Sequence, residues 1–370
     1  MKKSHLPALL VALALVAAAC SSGAGTTTTA PPAATTTTAA QTTTTAAQTT
    51  TTEPAPEIGT PDHPIKVLFV PSVSAEEIVA GGEVLKANLE EATGLTFEVV
   101  VPTSYAATIN EMCASPADTM GFIPAQAYVL ANELCGVDVS LKAKRFGYTE
   151  YWTEFIAPRD SDIETLEDVA GRKWAYPDAG STSGFLVPSG MFADMGIEPG
   201  ESFEAGGHSA TVRAVYNGEA DFGTVFFSPA VDPEGNVLWD GTLATADVPA
   251  DKIAKCKVTD DGKNIDCDGW IPKDARRNIR EEAPDVIQKV KIFALSEPIP
   301  NDTLSFGPEF PADLRTEIVN AIVAFSQNDP DGFSTAFDAY SWSGVAPASD
   351  PEFDFIRGLV QKLGISVEDL

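Results

Sequence analysis

An α/β chain of two similarly built lobes is what this sequence predicts, and three observations carry the expectation. From Ile65 onward, apolar strand-like runs alternate with helix-like runs, the pattern of a mostly parallel sheet with right-handed crossovers. The plan of Thr108 to Ile123, TINEMCASPADTMGFI, returns at Thr211 to Phe226 as TVRAVYNGEADFGTVF. Each copy reads as a helix, a turn, then Ala-Asp opening an apolar strand, with Asp118 and Asp221 each ten residues after a threonine. Helix-turn-strand units also converge on this look without kinship, and the two aspartates read as turn or cap residues, not as ligands. Finally, roughly 305 residues are available for folding, enough for one large domain or two moderate lobes.

The N-terminus reads as a targeting segment. Lys2 and Lys3 precede an apolar run of 14 residues, Leu6 to Ala19, too short for a membrane span and typical of a secretory core. It ends LVAAAC, which resembles a bacterial lipobox with Cys20 as the acylated residue; residues 1–20 are therefore expected to be a lipoprotein signal peptide. Residues 21–62 are mostly Thr, Ala, Pro, Ser and Gln. Such a segment buries too little apolar surface to offset its chain entropy, so a disordered tether is expected, with an r.m.s. span of roughly 35 Å.

The folded part then runs in order. IKVLFVP is a buried-type strand, AEEIVAGGEVLKANLEEAT a helix, LTFEVVVP a strand and YAATINEMCAS a helix. ADTMGFIP is a strand and AQAYVLANEL a helix; RKWAYP, GFLVPSGMFADMG, SATVRAVYNG and ADFGTVFF resume the same alternation. Asp232 to Trp270, rich in Asp, Gly and Pro, reads as an elaboration on one lobe. APDVIQKVKIFALSEPIPND returns to a strand, and Pro311 to Gln327 and Pro351 to Gly364 read as outer helices.

Charge and cysteines narrow the function. The formal charge is −29, which argues against nucleic acid or anionic lipid as partners, since both need basic patches. Any anionic ligand must be attracted locally. Apart from Cys20 there are four cysteines, and in an exported protein an even number favours disulfides. Cys113 and Cys135 bracket one αβ unit, and Cys256 and Cys267 bracket a turn between short strands, so the pairs 113–135 and 256–267 are expected; buried free thiols are the other reading. Of three histidines, His5 lies in the signal and His63 at the tether's end, leaving His208. One histidine excludes a multi-histidine metal site, and no nucleophile elbow, dinucleotide fingerprint or phosphate loop occurs in the right context. No catalytic residues are assigned.

A binding site reads better. PDAGSTSGFLVPSG places Ser181, Thr182 and Ser183 at the opening of a helix, between Gly180 and Gly184. A helix start offers unpaired N–H groups and partial positive charge to oxyanions, and three hydroxyls add donors without charge. Capping alone needs one Ser or Thr, so both anion binding and plain capping stand as readings. His208 precedes another helix after Gly206 and Gly207. Tyr105 and Tyr151 lie at element edges, as phenol donors or ordinary packing.

The lipobox, the tether, SYAATINEM…ADTMGFIPAQAYVLA, GYTEYWTEFIAPRDSDIETLEDVAGRKWAYPDAGSTSGFLVPSGMF, GGHSATVRAVYNGEADFG and LSEPIPND follow in one order. Together, over about Ile65 to Asp302, they resemble the phosphate/phosphite/phosphonate-binding lipoproteins of ABC importers. The resemblance implies a type II periplasmic-binding-protein fold: two α/β lobes, a hinge of two crossings, and a cleft. The lobes would be 63–156 with 291–370, and 157–290 carrying the insertion near 232–270. It implies that Ser181, Thr182, Ser183 and His208 hold a phosphorus oxyanion, with Tyr105 from the first lobe and Tyr151 near the hinge. Asp302 matches an acid for an aminoalkyl tail, whereas Phe227-Ser228-Pro229 occupy the place of a second such acid. It further implies a monomer outside the cytoplasm, anchored by lipid and delivering ligand to a membrane permease, without cofactor or metal. A sulfonate or other organic anion in the same fold, or a surface protein without a transport ligand, are the alternatives.

Overall fold

The computed structural model describes residues 57–370; the expected signal peptide, Cys20 and most of the expected tether lie outside the described residues. The folded body starts before position 63. Gly59 N–H donates to His63 O (2.8 Å), Thr96 N–H donates to Gly59 O (2.8 Å), and His63 Nε2 lies 2.9 Å from Asp118 Oδ2. Residues 57–62 are thus joined to the domain by backbone bonds, which composition alone does not register.

The first lobe opens with β1 (Ile65–Phe69), α1 (Ala75–Thr93), β2 (Phe97–Val100), α2 (Tyr105–Ala114), β3 (Thr119–Ile123), α3 (Ala125–Cys135) and β4 (Asp138–Lys144). β1 pairs in parallel with β2 and β3, so the intervening helices are crossovers. α1 buries Ile78, Leu85 and Leu89 on one face and ends at Gly94, whose left-handed φ of 71° suits a residue without Cβ. A Cβ at Gly81 would lie 2.3 Å from Ala336 O; only glycine permits this approach of the C-terminal segment.

The second lobe holds β5 (Glu150–Pro158), β6 (Trp174–Tyr176), α4 (Val187–Met195), β7 (Ser202–Glu204), α5 (His208–Tyr216) and β8 (Phe222–Phe227). The insertion follows, with α6 (Ala250–Ile253), β9 (Lys257–Val258) and β10 (Ile265–Asp266), then α7 (Val286–Lys289), β11 (Val290–Leu295) and β12 (Ile299–Pro300). β6 is parallel to β7 and β8, while β5 runs antiparallel between β8 and β11. Trp174 centres a compact aromatic core, stacked on Phe185 at 5.7 Å and edge-on to Phe192 at 5.3 Å. Its indole N–H donates to Thr224 Oγ1 at 2.9 Å, so the buried donor is satisfied.

The chain then returns to the first sheet as β13 (Thr303–Phe306), α8 (Ala312–Asn328), α9 (Pro330–Ala336), β14 (Gly344–Pro347) and α10 (Asp354–Leu363). β13 inserts antiparallel between β3 and β4, giving the order β14-β4-β13-β3-β1-β2. The two passages between sheets, after Lys144 and after Pro300, lie side by side: Asn301 N–H donates to Thr149 O (3.1 Å) and Ala143 N–H to Asp302 O (2.8 Å). The expected lobe limits at 156/157 and 290/291 fall inside β5 and at the start of β11, which pair with each other. We place the division at the passages instead. Local pattern cannot reveal which sheet a strand joins when its partner is remote in sequence.

The repeated motif occupies equivalent places, as α2–β3 in one lobe and α5–β8 in the other. Thr108 Oγ1 donates to Ser104 O (3.1 Å) and Thr211 Oγ1 to Gly207 O (3.0 Å). Asp221 Oδ2 accepts the Lys173 N–H at 2.8 Å, and Asp118 O accepts the Lys66 N–H at 2.9 Å; each bond joins the starts of two neighbouring parallel strands, β6 and β8 in one lobe and β1 and β3 in the other. Both expected disulfides are formed: Cys113–Cys135 ties α2 to α3, and Cys256–Cys267 closes the β9–β10 hairpin.

Candidate ligand-binding site

In open α/β sheets, ligands sit beyond the carboxyl ends of the parallel strands. Here the two sheets turn those ends toward one small cavity of about 30 Å³. The first lobe supplies Ser72 after β1, Tyr105 after β2 and Pro124 after β3; the second supplies Ser181 and Ser183 after β6 and His208 after β7. Tyr105 and His208 correspond. Each is the first residue of its helix, three positions before the threonine of the repeated motif.

The serine-rich stretch divides its labour. Asp178 Oδ1 accepts the Gly180 N–H (2.7 Å) and fixes the turn; Ser181 Oγ accepts the Gly184 N–H (3.1 Å) and caps the helix start. The first turn, Thr182–Leu186, is a π turn running into α4, a widened form that recurs at functional sites. Ser181 and Ser183 line the cavity. Thr182 is not among the lining residues: its Oγ1 accepts the Gln126 N–H at 2.8 Å, joining α3 of the first lobe to the second. Gln126 Nε2 donates to Ala179 O (3.0 Å) and His208 N–H to Ser72 O (2.9 Å), two further links between the lobes.

Tyr151 and Asp302, at the two passages between sheets, also line the cavity. Between them stands Arg145, a residue that the sequence motifs do not single out. It is 4% exposed, its guanidinium lies 4.7 Å from the Tyr151 ring centroid and 5.6 Å from that of Phe226, and its Nη2 donates to Asp302 Oδ2. Arg145 directly follows the strand DVSLKAK and continues the inward series of Val139, Leu141 and Ala143, which are buried. That period-two register is the signal that points to it; an arginine after two lysines otherwise reads as solvated. Ser72 and Tyr340, the latter donating to Val70 O at 2.9 Å, escape the motifs as well. Ser72 is within reach of the strand-end rule, because it follows the first strand of a parallel sheet.

Electrostatically the cavity offers uncharged donors and one cation, Arg145, paired with the carboxylate of Asp302. Burial, and then the charge of Arg145, push the His208 imidazole down to about 3, so at neutral pH the ring is uncharged, with one donor and one acceptor nitrogen. Its Nε2 lies 3.4 Å from Ser181 Oγ, and its Nδ1 has no partner among the described residues. Burial pushes the Tyr105 and Tyr151 phenols up, keeping both protonated as donors. Among the described residues, no group of three or more His, Cys, Asp or Glu is placed to hold a metal ion.

The buried neutral histidine has a measurable consequence. Unfolded, it titrates near 6.5; folded, at about 3. Between those values the unfolded chain binds more protons, so this contribution is fully present above pH 6.5 and is lost as pH falls toward 3. Urea midpoints measured from pH 7 to pH 4 are expected to fall more steeply for the wild type than for His208→Gln. Parallel slopes would contradict a neutral, buried His208.

A family model described as the periplasmic phosphonate substrate-binding protein of ABC transporters matches residues 67–353. The phosphate-import protein PhnD of Mycolicibacterium smegmatis is 32% identical over 180 residues, covering 44% of this chain and 54% of that protein; the match thus spans about half the relative's length. Among solved structures, a binding-protein component of an ABC phosphonate transporter from Pseudomonas aeruginosa superposes with a TM-score of 0.59 at 18% identity, over 80% of this chain and 85% of that one. PhnD1 of Prochlorococcus marinus, in complex with methylphosphonate, gives 0.59 at 14% identity over 81% and 98%. At such identities the likeness is one of fold, and the fold is the two-lobed type II arrangement of periplasmic binding proteins.

Proposed function

The chain belongs to the family of periplasmic phosphonate substrate-binding proteins of ABC transporters, and on that premise we propose that it captures a small phosphorus oxyanion (phosphate, phosphite or a short phosphonate) between its lobes for delivery to a membrane permease. What carries this reading is the convergence of the strand ends of both lobes on one small cavity lined by uncharged donors and the Arg145–Asp302 ion pair. Ser181, Ser183 and His208 receive the anion on the second lobe, and Tyr105 closes over it from the first. Tyr151 donates from the passage between sheets. Thr182 acts at the seam, through its bond to Gln126, and Cys20 carries the lipid that keeps the monomer at the membrane outside the cytoplasm.

The magnitudes are adequate. A hydrogen bond to a charged oxyanion contributes roughly 1.5–3 kcal/mol net. About four to six of them, less the lost freedom of the ligand, give affinity of about micromolar or tighter. The net negative charge of the chain does not forbid this, because at physiological salt surface charges are screened beyond about 8 Å while the donors are in contact.

A thermal-shift series with phosphate, phosphite, methylphosphonate, sulfate and an alkylsulfonate tests the reading. Phosphorus oxyanions alone are expected to raise the melting temperature, and His208→Ala should weaken their binding by about tenfold or more in calorimetry. Stabilisation only by the sulfur anions would transfer the same cleft to sulfonates; no stabilisation by any of them would leave a surface protein without a transport ligand.

A further inference from the structure

A cavity that takes a ligand with a cationic tail needs a carboxylate free to receive it. Asp302 is the one carboxylate among the residues lining this cavity, and it is already engaged by the Arg145 guanidinium. We propose that Arg145 fills the place a ligand ammonium would take and turns its remaining donors to the anion, so that the site accepts phosphorus oxyanions without a positively charged tail and rejects aminoalkylphosphonates. This rests on reading the cavity as a phosphorus-oxyanion site.

Three observations support it. Arg145 is held from several sides: the rings of Tyr151 and Phe226 flank its guanidinium, and the turn that carries it is closed by Arg145 N–H to Tyr148 O at 2.9 Å and Tyr148 N–H to Arg145 O at 3.0 Å. Its Nε is buried and without a partner among the described residues. A buried, charged N–H left unpaired is costly, and an oxyanion is the group that satisfies it. The cavity volume of about 30 Å³ also leaves little room for a second charged group beside the guanidinium. An incoming ammonium would face Arg145 at close range and lack a free carboxylate, which is discrimination by repulsion as well as by missing contact.

Competition calorimetry with methylphosphonate and 2-aminoethylphosphonate tests the proposal. Wild type is expected to bind methylphosphonate about 100-fold or more tightly than the amino compound, the penalty of a buried charge without a partner. Arg145→Met lowers the affinity for methylphosphonate but frees Asp302, so the preference is expected to shrink to about tenfold or less; Arg145→Met with Asp302→Asn restores it. Should the single variant fail to fold, the wild-type ratio decides. Equal wild-type affinity for the two ligands would overturn the inference while leaving the phosphorus-oxyanion reading intact. Binding of neither ligand, and of neither phosphate nor phosphite in the same calorimeter, would remove that reading, and this inference with it.

Discussion

Gly180→Ala is expected to weaken ligand binding by about 10- to 100-fold while leaving unfolding of the ligand-free protein nearly unchanged. A Cβ at Gly180 would lie 2.5 Å from the Cβ and 3.1 Å from the Cγ of Tyr105, the severe contact, and 3.1 Å from Asp178 Oδ1 in its own turn, a milder one. The two residues belong to different lobes, one in the turn after β6 and the other at the start of α2. The clash with Tyr105 therefore exists only while the lobes are together. Overpacking of this kind costs about 1–3 kcal/mol, and each 1.4 kcal/mol is a tenfold change in affinity. Calorimetry against methylphosphonate and urea unfolding without ligand separate the two effects. Unchanged affinity would mean that capture does not bring these lobes together. A fall in the urea midpoint of comparable size would place the strain within one lobe.

Arg276→Ala is expected to cost about 3–5 kcal/mol of stability, the usual penalty for removing one partner of a buried ionic cluster. Arg276 has no solvent exposure. Its Nε and Nη2 donate to the two oxygens of Asp274, each at 3.0 Å, and its Nη1 donates to Asp247 Oδ1 at 2.8 Å and to Val290 O at 2.9 Å. Arg159 reaches Asp247 from the other side at 3.0 Å. Nearby Glu154 is fully buried with no partner on either oxygen among the described residues; burial and the charge of Asp274 push it well up, which favours its neutral form. Two arginines then balance two aspartates. Because Asp247 lies in the 232–270 insertion, this cluster links the insertion to β11, alongside bonds such as Gln288 Nε2 to Cys256 O at 2.9 Å. At about 1.5 °C per kcal/mol for a body of this size, the melting temperature should drop by roughly 5–8 °C. Ligand affinity at low temperature should stay within about threefold, since the cluster does not line the cavity. A shift of only a degree or two would show that packing and the bonds outside the cluster suffice to hold the insertion.

Much of this fold is legible in the amino-acid sequence. Hydrophobic period and turn chemistry place β1 to α3, the cysteine positions anticipate both disulfides, and the repeated threonine motif marks equivalent units in the two lobes. These features are local, set by spacings of a few residues. The antiparallel strands β4, β5, β13 and β14 are not legible in the same way. They are stabilised by partners remote in the chain: Tyr151 of β5 pairs with Ile299, and Thr303 of β13 with both Ile123 and Lys142. The long C-terminal helices fall close to where their pattern puts them, but the short α9 between them carries too few turns to announce itself.

At the cavity the same division holds. Residue order along the chain suffices to cluster hydroxyls at one helix start and to set a lone histidine at another, because capping and glycine turns act over three or four residues. What each group does is assigned by folding: Ser181 caps, Thr182 bonds across the seam, Ser183 faces the cavity, and Asp302 is claimed by Arg145. Those roles depend on which side chains meet when two sheets face each other. Strand alternation can turn Arg145 inward, but it cannot say what waits there. Its carboxylate partner stands 157 positions away, a pairing made by chain topology that no spacing along the chain encodes.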